Sequence, residues 1–215
     1  MKIGMHHLRF FILLFAASSL LFHSPSDFEA FAVTSDTTID STVEINDTTT
    51  NGPVLADSDS FGFSVANIGD LNGDGVNDLA VGAYSDDGDS SNRGAVHIMF
   101  MNTDGSVDST VEINDTTTNG PVIINTDYFG ISTANIGDLN GDGVNDLAVG
   151  AYLDNGGGSN RGTVHIIFMN TDGSVDSTVE INDTTTNGPV LADGDRFGFS
   201  VANIGDLNGD GVNDL

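Results

Sequence analysis

The sequence contains no cysteine and no tryptophan, and only 5 lysines and arginines stand against 32 aspartates and glutamates. The lack of cysteine excludes disulfide bonds, thiolate nucleophiles and zinc–thiolate sites. The formal net charge of −27 argues against nucleic acid or an anionic membrane surface as a partner, because both are bound through clustered lysine and arginine. With 38% hydrophobic residues, the chain of 215 residues can still bury a core.

The first 32 residues are predicted to be a secretory signal peptide. Lys2 and Arg9 precede an apolar run from Phe10 to Phe22, and Ala30-Phe31-Ala32 fits the small-x-small cleavage pattern. The run is shorter than the roughly 20 residues that span a bilayer, which favours cleavage over a permanent transmembrane helix. We therefore expect a secreted, extracellular or cell-surface protein with no transmembrane span after cleavage, beginning with a short segment at 33–39.

An internal repeat makes up the rest of the chain. The segment that begins at Asp40 recurs from Asp108 and again from Asp176, a spacing of 68 residues. These positions divide the chain into repeat 1 (40–107), repeat 2 (108–175) and a truncated repeat 3 (176–215). Such a period indicates a supersecondary unit that buries its apolar face by stacking on its neighbours.

Each repeat is predicted to contain four short antiparallel strands. In repeat 1, apolar residues alternate with small or polar ones across 61–66, 79–84 and 95–100, and turn residues at 102–105 precede a fourth strand. Four strands at a fixed spacing are what one blade of a β-propeller requires. The predicted fold class is therefore all-β, a partial propeller of four-stranded antiparallel blades.

An acidic loop between the first two predicted strands of each repeat is the candidate metal site. Oxygen-bearing side chains stand at its first, third, fifth and ninth positions, and glycine at its sixth provides a sharp turn. These are hard ligands for a hard cation, and the flexible coordination of Ca²⁺ by 6–8 oxygens suits such a loop better than the strict octahedron of Mg²⁺. The predicted ligands, with valine contributing its carbonyl, are Asp70, Asn72, Asp74, Val76 and Asp78; Asp138, Asn140, Asp142, Val144 and Asp146; and Asp206, Asn208, Asp210, Val212 and Asp214.

Two other interpretations of the loop fit the sequence less well. Aspartate, asparagine and glycine also favour metal-free turns, but three carboxylates within nine residues repel one another, and no basic residue stands nearby in the sequence to neutralise them. An EF-hand needs an acidic residue at position 12, where this sequence has Val81. A calcium loop within a β-hairpin is the prediction that remains.

These motifs together resemble the FG-GAP repeat of integrin α-subunit propellers and of many microbial surface proteins. The acidic loops match the calcium loop of that family, and tyrosine replaces the usual proline at the end of its closing motif. The remaining matches are the opening pairs Phe61-Gly62, Phe129-Gly130 and Phe197-Gly198 and the closing segments Val81-Gly82-Ala83-Tyr84 and Val149-Gly150-Ala151-Tyr152. The resemblance implies a seven-bladed propeller, calcium in the hairpin loops, and a role in extracellular adhesion or ligand binding.

The predicted function is a calcium-binding module that binds an extracellular protein or glycan. No catalytic residue is predicted, because each candidate group, including His97 and His165, recurs with the repeat. Two alternatives stay open: an accessory propeller of a larger extracellular hydrolase, and a calcium-stiffened spacer. Asn46, Asn114 and Asn182 also begin N-glycosylation acceptor sequences.

Overall fold

Eight β-strands form in the part of the chain that the computed structural model describes, residues 41–86 and 92–215. They make two antiparallel sheets, blade 1 with the order β1-β2-β3-β4 and blade 2 with the order β5-β6-β7-β8. The predicted signal peptide and the segment 33–39 lie outside the described residues. The strands are β1 (Phe61–Gly69), β2 (Asp78–Ala83), β3 (Ala95–Met101), β4 (Val107–Ile113), β5 (Phe129–Gly137), β6 (Asp146–Ala151), β7 (Thr163–Met169) and β8 (Val175–Ile181).

The two sheets confirm the predicted all-β fold with four-stranded propeller blades, and the described residues contain no helix. None of the described segments is therefore a helix that could cross a bilayer. The sheets are offset from the sequence repeats, because β4 begins at Val107 and extends across the boundary between residues 107 and 108. The repeat boundaries describe the sequence period and stay a prediction.

The main core lies where blade 2 packs on blade 1. Strand β5 contacts β1 and β2, and side chains from both sheets join one buried cluster that includes Ile68, Val96, Phe129 and Leu147. Apolar residues at alternate strand positions therefore cover each other across the boundary between the blades. This packing meets the requirement of a repeat whose single units cannot bury their own apolar faces.

Glycine allows the closest approach between the blades. A Cβ atom added to Gly82 would clash with the carbonyl of Gly130 in the next blade. The Ser64 hydroxyl donates a hydrogen bond to the same carbonyl at 2.9 Å. Glycine in β2 thus lets the backbones of the two blades come close together.

After β8, repeat 3 contributes only isolated bridges within the described residues. Phe197 pairs with Gly162 of blade 2, and Gly205 pairs with Asp214. Several of its apolar side chains, including Phe199, Ile204 and Leu207, are exposed. The third repeat thus begins a blade against blade 2 without forming a sheet.

Candidate metal centre

The acidic loop of blade 1 joins β1 to β2 and is wrapped around one carboxylate. Asp70 Oδ1 accepts hydrogen bonds from the backbone N–H groups of Gly73 at 2.8 Å and Asp74 at 2.9 Å, and Asp70 Oδ2 accepts one from Gly75 at 2.8 Å. Gly73 and Gly75 have φ values of +80° and +91°, which other residues adopt only with strain. The glycines therefore allow the chain to turn its N–H groups towards Asp70.

The next two oxygen-bearing side chains continue the same pattern. Asn72 Oδ1 accepts a hydrogen bond from the Asp74 backbone at 3.0 Å, and Asp74 Oδ1 accepts one from the Val76 backbone at 2.8 Å. The Asn72 amide also donates to Asp74 Oδ2 at 3.1 Å. Each of these bonds spans two residues, as in an Asx turn, so the loop conformation is largely encoded locally.

Asp78 closes the loop from the buried side. It is the first residue of β2 and is fully buried, and its two oxygens accept hydrogen bonds from the backbones of Leu71 at 2.9 Å and Met101 at 3.0 Å. Burial raises the pKa of Asp78, and the charges of Asp74 and Asp70 raise it further, against the lowering effect of the two hydrogen bonds. The carboxylate therefore lies in a site where its negative charge is poorly compensated.

Blade 2 repeats the whole arrangement, and repeat 3 repeats the turn alone. In blade 2, Asp146 is fully buried and accepts from the backbones of Leu139 at 2.9 Å and Met169 at 3.1 Å, and burial again raises its pKa. In repeat 3, backbone hydrogen bonds, the strongest from Gly211, lower the pKa of the exposed Asp206. In each loop the predicted side-chain ligands thus lie in one turn and accept backbone hydrogen bonds, and their role as metal ligands stays a prediction.

The donor set fits calcium in its chemistry. Every predicted side-chain ligand offers a carboxylate or amide oxygen, and the ion pairs of Arg93 and Arg161 are made to Asp115, Asp183 and Asp193, outside the loops. Across residues 41–86 and 92–215, however, no three or more histidine, aspartate or glutamate side chains are arranged to hold a metal ion. The loop carboxylates instead accept backbone hydrogen bonds of their own turns.

Comparison with known proteins identifies the repeats. Residues 61–99 and 129–167 match the FG-GAP repeat family. The chain contains FG-GAP repeats. This finding confirms the resemblance drawn from the Phe-Gly pairs, the acidic loops and the closing segments, and the two matched ranges begin at the first residues of β1 and β5.

Integrin α subunits are similar to the chain over much of its FG-GAP region. Integrin alpha-6 of Gallus gallus is 30% identical over 158 residues, which cover 73% of this chain and 13% of the relative. Integrin alpha-8 of Mus musculus is 32% identical over 169 residues, covering 76% of this chain and 14% of the relative. Integrin alpha-PS5 of Drosophila melanogaster is 36% identical over 97 residues, covering 45% and 9%. The chain therefore spans a small fraction of the length of these curated relatives.

The FG-GAP blades also enclose a polar cluster that the sequence did not reveal. His165 is fully buried against the ring of Phe129, with its Nε2 atom 3.8 Å from a carboxylate oxygen of Asp154. Burial lowers the pKa of His165 to about 4, so its imidazole is neutral at pH 7. Asp127 is buried as well, and burial raises its pKa to about 7. His97 occupies the matching position in blade 1 and is equally buried.

A row of aromatic rings crosses the FG-GAP blades. The centroids of successive rings lie between 4.7 and 5.7 Å apart. The guanidinium of Arg196 lies 5.9 Å from the ring of Tyr152. The row consists, in spatial order, of Phe63, Tyr84, Tyr128, Tyr152 and Phe199. Since it includes the tyrosines of the two closing segments, the tyrosine that replaces proline has a packing role here.

Proposed function

We propose that the chain is a secreted or cell-surface FG-GAP propeller module that binds calcium and acts by binding an extracellular protein or glycan. The single observation that carries the metal assignment is the state of Asp78 and Asp146. Each is a fully buried carboxylate with a raised pKa, next to other carboxylates. A divalent cation would relieve both the burial cost and the mutual repulsion.

Each residue of the loop would contribute a different ligand atom to the ion. In blade 1, Asp70, Asn72 and Asp74 would supply one oxygen each from the flexible turn, Val76 its carbonyl, and Asp78 an oxygen from the sheet. Calcium would supply the positive charge that the loop lacks. Because Asp78 accepts hydrogen bonds from the backbone of Leu71 within the loop and of Met101 in β3, it is the rigid member of this set and would fix the position of the turn.

Binding of this kind would replace the disulfide bonds that a cysteine-free extracellular protein cannot form. A ligand present at ten times its dissociation constant stabilises the folded state by about 1.4 kcal/mol per site. That is a substantial share of a total stability that is usually about 5–15 kcal/mol. The folded module would therefore be most stable in calcium-rich extracellular fluid.

A role in binding rather than catalysis is supported by the state of the histidines. His97 and His165 are both buried, and the low pKa of His165 keeps its imidazole neutral at pH 7. A general acid or base needs access to its substrate and a pKa near the working pH. Neither histidine meets both conditions, whereas the relatedness to integrin α subunits favours an adhesion-type partner.

Calorimetric titration of the full chain with calcium chloride tests the metal assignment. We expect heat of binding, and a melting temperature higher in calcium than in chelator by about 2 °C or more. The double variant Asp74→Asn and Asp142→Asn should lose most of both effects. Asp104→Asn with Asp172→Asn is the matched control, since it removes the same charge from turns outside the loops. No heat and equal melting temperatures in the unaltered chain would contradict the proposal.

Immobilised panels of glycans and of extracellular matrix proteins test the binding role. We expect retention of the full chain on at least one purified component, and loss of that retention when calcium is removed. Retention that is indifferent to chelator would separate ligand binding from the metal. Failure to bind any component would favour the calcium-stiffened spacer over the recognition module.

A further inference from the structure

A side chain of one acidic loop contacts the neighbouring blade. Asn145, at the eighth position of the blade 2 loop, donates a hydrogen bond from Nδ2 to the carbonyl of Ile68 at 2.9 Å. Ile68 is the penultimate residue of β1, two residues before Asp70. The contact recurs one repeat later, where Asn213 donates to the carbonyl of Ile136 at 2.9 Å. Each loop is therefore tied to the strand that leads into the loop before it.

The backbone at this contact is shaped to admit the amide. Gly69 has a φ of +77°, and a Cβ atom there would lie 2.8 Å from Asn145 Nδ2. Gly69 pairs with Asp78 at a register shift of the β1–β2 ladder. The Asn145 amide thus lies close to Gly69, whose partner in the ladder, Asp78, is the last residue of the blade 1 loop.

A second amide ties the same strands together. Asn135 Nδ2 donates to the carbonyl of Asn67 at 3.1 Å, and Asn203 Nδ2 donates to the carbonyl of Asn135 at 2.9 Å. The accepting carbonyls of Asn67 and Asn135 belong to the residues directly before Ile68 and Ile136. The paired contacts restrain the end of each first strand against rotation, which a single hydrogen bond would not do.

We propose that Asn145 and Asn213 are positioning residues that couple adjacent acidic loops, so that calcium binding at one loop strengthens binding at the next. This inference rests on the proposed calcium function. Asn145 stands between Val144 and Asp146, two predicted ligands, so an ion in the blade 2 loop fixes its amide. The fixed amide then holds the end of β1, from which the turn that presents Asp70 begins, so that binding of the second ion costs less conformational entropy. Coupling of this kind is reciprocal between the two sites.

Blade 1 supplies an internal control. Asn77 occupies the same loop position as Asn145, but it is exposed, and its side chain makes no hydrogen bond to any residue in the described part of the chain. Asn77→Ala therefore removes the same side chain from the same loop sequence without removing a contact between blades. Any effect that Asn145→Ala has beyond that of Asn77→Ala arises from the contact.

Amide NMR of the full chain during a calcium chloride titration resolves the two sites, with Gly75 reporting on the blade 1 loop and Gly143 on the blade 2 loop. Asp142→Ala, which removes a blade 2 ligand, is expected to raise the calcium midpoint of Gly75 about fivefold or more, the lower end of usual coupling. In the Asn145→Ala background the same substitution should leave that midpoint unchanged. A purely structural role for Asn145 would make the two effects additive instead.

The outcomes separate this inference from the proposed function. Calcium binding with a Gly75 midpoint that is indifferent to Asp142→Ala, or equally sensitive with and without Asn145, would overturn the coupling and leave the calcium function intact. Absence of any calcium-dependent shift at Gly75 and Gly143 would overturn both. If Asn145→Ala does not fold, as judged by circular dichroism, Asn145→Leu takes its place, because leucine keeps the volume but cannot donate a hydrogen bond.

Discussion

Residues 61–79 and 197–215 have the same nineteen-residue sequence and different structures. The first copy forms β1 and the start of β2, whereas the second forms only isolated bridges at Phe197 and Gly205. Yet the acidic loop is the same in both, with Asp206 accepting backbone bonds from Gly209 at 2.7 Å and Gly211 at 2.8 Å. The loop is thus a local structure, and the strand is a tertiary one that needs its neighbours.

The two copies also differ in how far the same apolar side chains are buried. Ile68 is 1% exposed and Ile204, its counterpart, is 55% exposed. Leu71 and Leu207 differ in the same way, at 4% and 77%. The identical side chains therefore contribute much more hydrophobic free energy in blade 1 than in repeat 3. Four changes test how far this difference extends.

The largest difference in the free energy of unfolding is expected when the isoleucine of each copy is replaced by alanine. Ile68→Ala removes core volume and should lower the free energy of unfolding by about 2–5 kcal/mol. Ile204→Ala changes an exposed side chain and should alter it by less than about 0.5 kcal/mol. Urea unfolding followed by circular dichroism measures both. Equal losses for the two variants would show that repeat 3 is packed in solution much as blade 1 is.

The second-largest difference is expected between Asp78 and Asp214, the last aspartates of the two acidic loops. Asp78→Ala leaves the buried N–H groups of Leu71 and Met101 without acceptors, at about 1–3 kcal/mol of stability. Among the described residues, the Asp214 carboxylate accepts only the exposed N–H of Leu207, so Asp214→Ala should cost little. The unfolding experiment is done in chelator, so that metal binding does not contribute. A large loss from Asp214→Ala would mean that its carboxylate has buried partners in solution.

The segment before β5 should make the folding stability depend on pH. Asp127, whose pKa is raised to about 7 from an ordinary 3.8, keeps its proton in the folded chain and loses it near pH 4 when unfolded. Between about pH 4 and 7 the folded state binds more protons, so stability falls as pH rises, by up to about 1.4 kcal/mol per unit. Asp127→Asn should flatten this slope in chemical unfolding curves. Asp195→Asn, at the exposed counterpart, is the control and should retain the slope.

The smallest effect is expected from adding strands next to the end of repeat 3. A copy of residues 80–113 joined after Leu215 gives repeat 3 the partners that β1 has in blade 1. The backbone amides of residues 199–203 should then exchange with solvent at least roughly tenfold more slowly, since strand pairing raises the free energy of local opening. Hydrogen exchange followed by NMR measures this. Unchanged rates would mean that pairing alone does not convert this sequence into a strand.

The sequence predicted the features that depend on near neighbours. Alternation of apolar residues indicated the strands of blades 1 and 2, and the spacing of Asp70, Asn72 and Asp74 indicated a turn that the structure forms. Family resemblance then indicated how the strands assemble into blades. The calcium assignment itself stays a prediction, because the loop carboxylates accept backbone bonds that a metal-free turn would also provide.

Contacts between blades could not be predicted in the same way. Nothing in the repeat distinguishes Asn77 from Asn145, because their loops have the same sequence, and only the presence of a preceding blade gives one of them a partner. The burial of His165 against Phe129 likewise depends on how strands fold onto one another. The offset of β4 from the repeat boundary has a similar cause, since a period in the sequence does not show where a sheet begins.

The aromatic row makes the chain its own optical probe. Its three tyrosines, Tyr84, Tyr128 and Tyr152, are successive members of the row, with centroids 5.7 and 5.5 Å apart. Without tryptophan to act as an acceptor, excitation absorbed by one phenol passes readily to the next, and the emitted light loses its polarisation. The anisotropy of the native ultraviolet fluorescence therefore reports whether the blades remain stacked, with no label attached.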